Sequence, residues 1–201
     1  YILYDIRTLL GENEKTYLEI GSYIGSSASL ILQHPFKTKL ICIDPCRLNK
    51  SHYLGDLNQY STLEKNLQNN NKNNYNFKIE KNFSTDVNLL TKFKDNKLEI
   101  DILFIDGGHR YNDVVQDWNN YKDFVNPGGF IVFDDYCDKT YSPEVKSAVD
   151  DIVNDFSKHI PTLKAAKQGL INERLDFLEE INNKETFYNS ATGSGDARFG
   201  G

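Results

Sequence analysis

Two short blocks of apolar, largely β-branched residues each end abruptly in carboxylates. One is Phe104-Ile105-Asp106-Gly107-Gly108-His109, and the other is Phe130-Ile131-Val132-Phe133-Asp134-Asp135-Tyr136. An apolar run that stops at polar residues is typical of a strand buried on both faces of a parallel sheet. Ligands of open α/β sheets bind at the carboxyl ends of such strands. We therefore expect the side chains that follow the two blocks to share one site.

Strand and helix patterns alternate along most of the chain, which indicates an α/β fold with a doubly wound, mostly parallel sheet and helices on both faces. Pro127-Gly128-Gly129 is expected to form a turn before the fifth strand. The predicted strands cover 16–20, 39–43, 77–80, 100–105 and 130–133, and the predicted helices cover 1–10, 26–33, about 60–68, 85–93, 111–125 and 143–156.

The length of 201 residues suits a single domain with a proper core. We expect that domain to span 1–189, with a helix over 172–181 and a last strand at 186–188. Residues 190–201 are rich in Gly and Ser and are expected to form a flexible tail. The chain begins at Tyr1 and contains no methionine, so we expect it to be part of a larger polypeptide.

Charge and cysteine content narrow the class of protein. A formal net charge of −6 weighs against a nucleic-acid partner, which would call for a basic face. No apolar run is long enough to cross a bilayer, and no signal peptide opens the sequence. Three cysteines form an odd number without zinc-site spacing, which favours reduced thiols and a cytoplasmic location.

The first predicted strand is followed by a turn that contains Gly21 and Gly25. Glycine lets a backbone turn tightly and approach a ligand closely, but the spacing does not fit the dinucleotide-binding fingerprint. Asp44 ends the second predicted strand, where a carboxylate can accept hydrogen bonds from the hydroxyls of a ribose. The alternative is structural: glycines are common in such turns, and Asp44 then only initiates the Asp-Pro turn.

These motifs together resemble the class I S-adenosylmethionine-dependent methyltransferases. The second half of the chain is similar to the branch that contains macrocin-type sugar O-methyltransferases and a related cephalosporin-biosynthesis (cephalosporin hydroxylase-like) enzyme. The resemblance covers roughly 16–156. The residues that carry it are Glu19-x-Gly21-x-x-x-Gly25 with Asp44, then Ile105-Asp106-Gly107-Gly108-His109-x-Tyr111-x-x-Val114-x-x-Asp117, and Pro127-Gly128-Gly129-x-Ile131-x-x-Asp134-Asp135-Tyr136.

The resemblance implies a Rossmann-like sheet of seven strands and a site for S-adenosyl-L-methionine. Glu19 would face the methionine portion of that cofactor and Asp44 its ribose. The implied cofactor-binding residues are Glu19, Gly21, Ser22, Tyr23, Gly25, Asp44 and Asp106.

Asp106, Asp134 and Asp135 are expected to converge at adjacent strand ends and to bind Mg²⁺, which prefers oxygen ligands. The metal would lower the pKa of a substrate hydroxyl and orient it. In catechol O-methyltransferase a lysine stands where this chain has His109, so the resemblance implies that His109, together with Asp106, is catalytic and takes the hydroxyl proton. Alternatively, the aspartates only cap turns, and His109 is a hydrogen-bonded structural residue.

The sequence thus predicts an enzyme, an S-adenosylmethionine-dependent and Mg²⁺-assisted O-methyltransferase. Its acceptor is expected to be a hydroxyl of a sugar, a glycan or a small polyol, a preference that follows from the resemblance alone. Two alternatives stay open: a metal-independent methyltransferase of the same fold, and a non-catalytic cofactor-binding partner subunit. A homo-oligomer is compatible with each of them.

Overall fold

The computed structural model describes residues 2–47 and 58–159, and side chains as far as residue 155. The described residues up to Ile152 form one compact unit, which contains the sheet. The strands are β1 (Lys15–Ile20), β2 (Thr38–Ile43), β3 (Phe77–Glu80), β4 (Ile100–Ile105) and β5 (Val125–Phe133). The helices are α1 (Ile2–Leu9), α2 (Ser26–Leu32), α3 (Gln59–Asn70), α4 (Val87–Asp95), α5 (Tyr111–Tyr121) and α6 (Val145–His159), with a short 3₁₀ helix at Lys122–Phe124.

The described part of the chain forms a five-stranded sheet in the order β3-β2-β1-β4-β5, and every neighbouring pair is parallel. The chain runs outward from β1 to β3 and then returns to β4, so the strand order reverses between β1 and β4. The predicted α/β class and parallel sheet are confirmed, whereas seven strands are not. The predicted helix at 172–181, the strand at 186–188 and the tail at 190–201 lie outside the described residues.

Both faces of the sheet are buried, which explains the nearly continuous apolar strands. Tyr17 in β1 belongs to a core cluster that also contains apolar residues of α1, α2 and α3. Leu18 and Ile20 belong to a second cluster, together with apolar residues of α4 and α5. Because successive residues of a strand point to opposite faces, a single apolar run supplies both clusters.

Helix α1 is fastened to the amino end of the sheet by a fully buried arginine. Arg7 donates from Nε to the Thr38 hydroxyl at 2.8 Å. Its two terminal nitrogens donate to the carbonyl oxygens of Gly11, Asn13 and Lys37 at 2.7, 3.0 and 2.8 Å. The guanidinium therefore satisfies backbone acceptors of the loop between α1 and β1 and of the segment before β2.

Several predicted boundaries shift, among them the end of α5, which lies at Tyr121 and not at 125, and two of the shifts have an identifiable reason. Helix α4 begins at Val87, because the Asp86 carboxylate accepts a hydrogen bond from the Leu89 N–H at 2.8 Å and so caps the helix. The expected turn at 127–129 is instead an irregularity inside β5. The pairing with β4 shifts register there, and Gly128 adopts a positive φ of 82°.

Among the described residues, no helix combines the length and the apolar character that crossing a membrane requires.

Candidate functional site

A cavity of about 710 Å³ opens at the carboxyl edge of the sheet, where the strand order reverses. The segments that follow β1, β2, β3 and β4 line it, and α5 closes one side. This is the position at which open α/β sheets bind their ligands. The lining residues used below are Gly21, Tyr23, Asp44, Ser84, Asp106 and Asp117.

Gly21 is required by the closeness of β1 and β4 at this edge. Its φ is +86°, and a Cβ placed there would collide with the backbone carbonyl of Asp106 and with Gly107. Its N–H donates to the Ile43 carbonyl at 2.8 Å, which ties the turn to the end of β2. The first predicted glycine therefore lets three strand ends meet beside the cavity.

Gly25 serves a different purpose, because it precedes α2 at a φ of 84° and lies against α3. A Cβ at Gly25 would approach the Leu63 side chain to 2.7 Å. Gly25 is absent from the residues that line the cavity. In this structure its role is the packing of α2 against α3.

Asp44 is buried, lines the cavity and is held by three donors. The Tyr23 N–H donates to its Oδ2 at 2.8 Å, and the Cys46 N–H donates to Oδ1 at 2.6 Å. Gln59 Nε2 also donates to Oδ1, at 2.9 Å. A carboxylate offers about four acceptor positions, so an oriented Asp44 can still accept a ligand hydroxyl. Gln59 was not anticipated, because nothing in the sequence links the start of α3 to the end of β2.

Glu19 is fully buried and does not line the cavity. The Tyr17 hydroxyl donates to its Oε2 at 2.6 Å, whereas no donor among the described residues lies in hydrogen-bonding geometry to Oε1. Burial raises the pKa of the Glu19 carboxyl to about 7, although the nearby hydroxyls of Tyr17, Ser27 and Ser22 act in the opposite direction. Ser22 is itself buried, and no group of the described residues lies in hydrogen-bonding geometry to its hydroxyl oxygen. Neither Glu19 nor Ser22 lines the cavity, whereas Tyr23 does.

Asp106, His109 and Asp135 each offer one ligand atom, and these three atoms lie within 4.8 Å of one another. His109 Nε2 is 3.2 Å from Asp135 Oδ2. Asp135 adopts a positive φ of 56°, which redirects the chain directly after Asp134. The structure therefore brings together two of the three predicted metal-binding aspartates and the predicted base. Asp134 lies at the same edge but outside this group.

Negative charge is crowded at this edge. Burial raises the pKa of the Asp106 carboxyl to about 8, and the charges of Asp134, Glu19 and Asp135 act in the same direction. Within the described ranges, 2–47 and 58–159, no lysine or arginine forms an ion pair with Asp106, Asp134 or Asp135. Paired carboxylates without a cationic side chain are the ligands that Mg²⁺ prefers.

Two further polar residues at the site were not anticipated. Asp117 of α5 is buried, lines the cavity and has its pKa raised to about 6 by burial, with the Ser84 hydroxyl acting against that shift. It lies on the same stripe as the buried Val114 and Tyr121, so helical spacing could have identified it. Ser142 is also buried and contacts both His109 and Asp135, yet no local pattern marks it.

Comparison with known proteins shows which family the chain belongs to. A family profile described as a methyltransferase domain matches residues 18–136, which is more than half of the chain. The chain therefore belongs to this family of methyltransferase domains. The prediction of an enzyme of the transferase class is confirmed at the level of the family, and the narrower sugar O-methyltransferase branch is not.

An uncharacterized protein of Acanthamoeba polyphaga mimivirus is 38% identical over 155 residues, which are 77% of this chain and 66% of that protein. The chain thus spans slightly less than two thirds of this relative. Among solved structures, a TDP-rhamnose 3′-O-methyltransferase of calicheamicin biosynthesis has a TM-score of 0.58 at 11% identity, over 76% of this chain and 69% of that one. At such low identity the likeness supports the Rossmann-like fold alone.

Proposed function

We propose that this chain is an S-adenosylmethionine-dependent O-methyltransferase that uses a divalent cation, Mg²⁺, to bind and activate a hydroxyl of a sugar, a glycan or a small polyol. The observation that carries the proposal is the meeting of Asp106, His109 and Asp135 directly beside the cavity at the carboxyl edge. Membership of the methyltransferase-domain family supports the reaction class.

The cavity suits a nucleoside cofactor. Its volume of about 710 Å³ lies within the range of small-molecule sites. The Gly21 turn presents backbone without a side chain in the way, and the fixed Asp44 carboxylate is suited to a ribose. Asp106 lines the cavity and also belongs to the acidic group, so the cofactor and the reacting hydroxyl would be neighbours.

The donor set fits a hard divalent cation. The carboxylates of Asp106 and Asp135 would hold the ion, with Asp134 adjacent, and substrate oxygens or water would complete the ligand shell. When bound, Mg²⁺ lowers the pKa of a hydroxyl and orients its oxygen. A vicinal pair of hydroxyls would fit such a shell best, because two neighbouring oxygens can bind one ion.

His109 would accept the proton of the hydroxyl. Its side chain is 44% exposed, so the ring can meet a substrate, and its Nε2 faces the carboxylate group. A neutral imidazole is suited to this role near neutral pH. Alignment of the hydroxyl oxygen with the methyl group then carries much of the acceleration, because displacement at a methyl carbon depends mainly on geometry.

Calorimetry of S-adenosylhomocysteine binding, followed by titration of Mg²⁺ into that complex, tests both parts of the proposal. We expect the wild-type protein to bind both. Asp135→Asn should still bind S-adenosylhomocysteine but lose most of the Mg²⁺ binding. The change removes the charge of a proposed metal ligand, and Asp135 does not line the nucleoside cavity. Asp123→Asn, an exposed change in the 3₁₀ helix, is the matched control and should behave as the wild type.

The two alternatives give different results in the same experiments. A metal-independent methyltransferase would bind Mg²⁺ equally well or equally poorly in all three proteins, and its activity would survive EDTA. A non-catalytic partner subunit would bind S-adenosylhomocysteine but would methylate no member of a panel of sugars and polyols. Failure of the wild-type protein to bind S-adenosylhomocysteine would refute the proposed reaction altogether.

A further inference from the structure

We propose that Ser142 is a positioning residue that fixes the tautomer of His109, so that Nδ1 carries the proton and Nε2 is left bare towards the carboxylates. Ser142 lies just before α6 and is 1% exposed. Its Oγ is 2.9 Å from His109 Nδ1 and 2.8 Å from Asp135 Oδ2. His109 Nε2 closes a triangle, at 3.2 Å from the same Asp135 oxygen.

The number of protons decides how this triangle can be satisfied. It contains three polar contacts: Ser142 with His109, Ser142 with Asp135, and His109 with Asp135. A hydroxyl supplies one proton and a neutral imidazole supplies one more. When the His109 ring is neutral, only two protons are available for three hydrogen-bonding contacts. In one of the contacts two lone pairs therefore face each other without a proton.

Three arrangements are possible for a neutral ring, and the distances favour one of them. If the Ser142 hydroxyl donates to Nδ1, its oxygen faces a carboxylate oxygen at 2.8 Å with no proton between them. If the hydroxyl donates to Asp135 and Nδ1–H donates to Ser142 Oγ, the contact without a proton is the longest one, of 3.2 Å. If the hydroxyl and Nε2–H both donate to Asp135, Nδ1 faces Ser142 Oγ at 2.9 Å with no proton between them. The second arrangement places the repulsion at the greatest separation and gives the charged acceptor a hydroxyl donor, which is the stronger kind of hydrogen bond.

The local backbone holds Ser142 in this position. Its carbonyl accepts a hydrogen bond from the Val145 N–H at 3.2 Å, at the start of α6. In the preceding turn, the Asp138 carboxylate accepts from the N–H groups of Thr140 and Tyr141 at 2.8 and 3.0 Å. A buried hydroxyl on such an ordered turn has little freedom to rotate away from its two partners.

The consequence for the reaction rests on the proposed function. A bare Nε2 that faces a carboxylate oxygen is an unfavourable contact on its own, and it becomes favourable when a hydroxyl proton or a cation enters between them. This arrangement suits a base that waits for a substrate hydroxyl beside the two carboxylates. The opposite tautomer would present an N–H there and could not accept the proton.

Nitrogen-15 NMR of the His109 ring tests the tautomer without any need for activity. Spectra are recorded without metal or cofactor, at a pH well above the ordinary imidazole pKa. The His109→Gln variant assigns the signal among the four histidines. We expect the wild-type ring in the Nδ1–H form, Ser142→Ala shifted towards the Nε2–H form that free neutral imidazoles prefer, and Ser142→Thr as the wild type. Ser147→Ala, an exposed serine of α6, is the matched control and should change nothing.

Kinetics provide the second readout. Loss of an orienting partner typically costs about 10- to 100-fold in activity, so we expect kcat of Ser142→Ala to fall by about that factor, with KM nearly unchanged and partial rescue in Ser142→Thr. Binding of S-adenosylhomocysteine should be unaltered, because Ser142 does not line the cofactor cavity. A wild-type ring in the Nε2–H form overturns the inference even if the variants fail to fold. So does an unchanged ring in a folded Ser142→Ala protein. Neither result depends on whether the proposed reaction is correct.

Discussion

Replacing Gly21 with alanine should destabilise the fold far more than a glycine change usually does. Two effects add at this position: a positive φ of +86°, and a Cβ that would collide with the backbone of Asp106 and Gly107. Gly11 has nearly the same φ, +78°, but no atom of the described residues lies within 4 Å of its Cβ position. Comparison of the two alanine variants therefore separates backbone strain from collision.

The magnitudes follow from these two effects. The left-handed region costs a residue with a Cβ roughly 1–2 kcal/mol, and the lower entropy of the unfolded chain returns roughly 0.4–1 kcal/mol of that. Gly11→Ala should thus cost about 1 kcal/mol. The collision at Gly21 involves the backbone of two central strands, which must shift, and overpacking of this kind adds roughly 1–3 kcal/mol or more. We expect about 3 kcal/mol in total for Gly21→Ala.

Urea denaturation and thermal melts measure the difference. At about 2–4 °C per kcal/mol for a chain of this size, Tm should fall by about 3 °C for Gly11→Ala and by about 10 °C for Gly21→Ala. Gly108→Ala is a third variant for comparison, because the three atoms nearest to its Cβ position all belong to the Asp113 side chain, at 2.6–2.8 Å, and that side chain can rotate away. It should cost less than Gly21→Ala. Equal losses for Gly11→Ala and Gly21→Ala would refute the reasoning.

Three other predictions concern stability and cofactor binding. Replacing Arg7 with methionine should cost about 4 kcal/mol in urea denaturation, because one buried and three partly buried acceptors lose a charged donor, whereas the exposed Arg110→Met should be nearly neutral. Burial raises the pKa of the Glu19 carboxyl from 4.5 to about 7. Between these two pH values the folded protein keeps a proton that the unfolded chain releases, so the free energy of unfolding falls as the pH rises. Glu19→Gln has no carboxyl to titrate, so its free energy of unfolding relative to that of the wild type should increase by about 3 kcal/mol from pH 4.5 to above pH 7 in denaturation curves. A difference in unfolding free energy that does not change with pH would contradict the prediction. Asp44→Asn should weaken S-adenosylhomocysteine binding in calorimetry by about tenfold or more, because the charged acceptor is lost; unchanged affinity would remove Asp44 from the cofactor site.

The strands were predicted well because their signal is local. Burial on both faces makes each strand a nearly continuous apolar run, and the predicted limits of β3 and β4 are those observed. Helix ends depend on single capping groups, so α4 begins two residues later than expected, at the residue that follows Asp86. The irregularity in β5 depends on how that strand pairs with β4, and a one-dimensional pattern contains no such information.

The sequence predicted which residues lie at the carboxyl edge of the sheet, but not which of their side chains contact one another. Topology alone brings Asp106 and Asp135 to adjacent strand ends. Asp134 and Asp135 both follow Phe133, the last residue of β5, so the alternation of side chains along a strand does not decide which of them joins the group. The positive φ of Asp135 is not readable from an aspartate. The contacts of Ser142 and Gln59 also join distant segments, so they required the folded chain.

The carboxyl edge has two unfavourable features, the close carboxylates and the Ser142–His109–Asp135 contacts, and a ligand from outside could stabilise both. The carboxylates of Asp106 and Asp135 lie close together, and no lysine or arginine of the described residues forms an ion pair with either. When the His109 ring is neutral, the triangle of Ser142, His109 and Asp135 lacks one proton for its third contact. A cation bound between the carboxylates would reduce their repulsion. A cation or a substrate hydroxyl proton beside His109 Nε2 would also remove the unfavourable contact between Nε2 and Asp135. A structural cap would instead accept its hydrogen bonds from nearby backbone N–H groups, as Asp86 and Asp138 do. The acidic edge therefore differs from these two caps in the way expected of a group that binds its partner from outside.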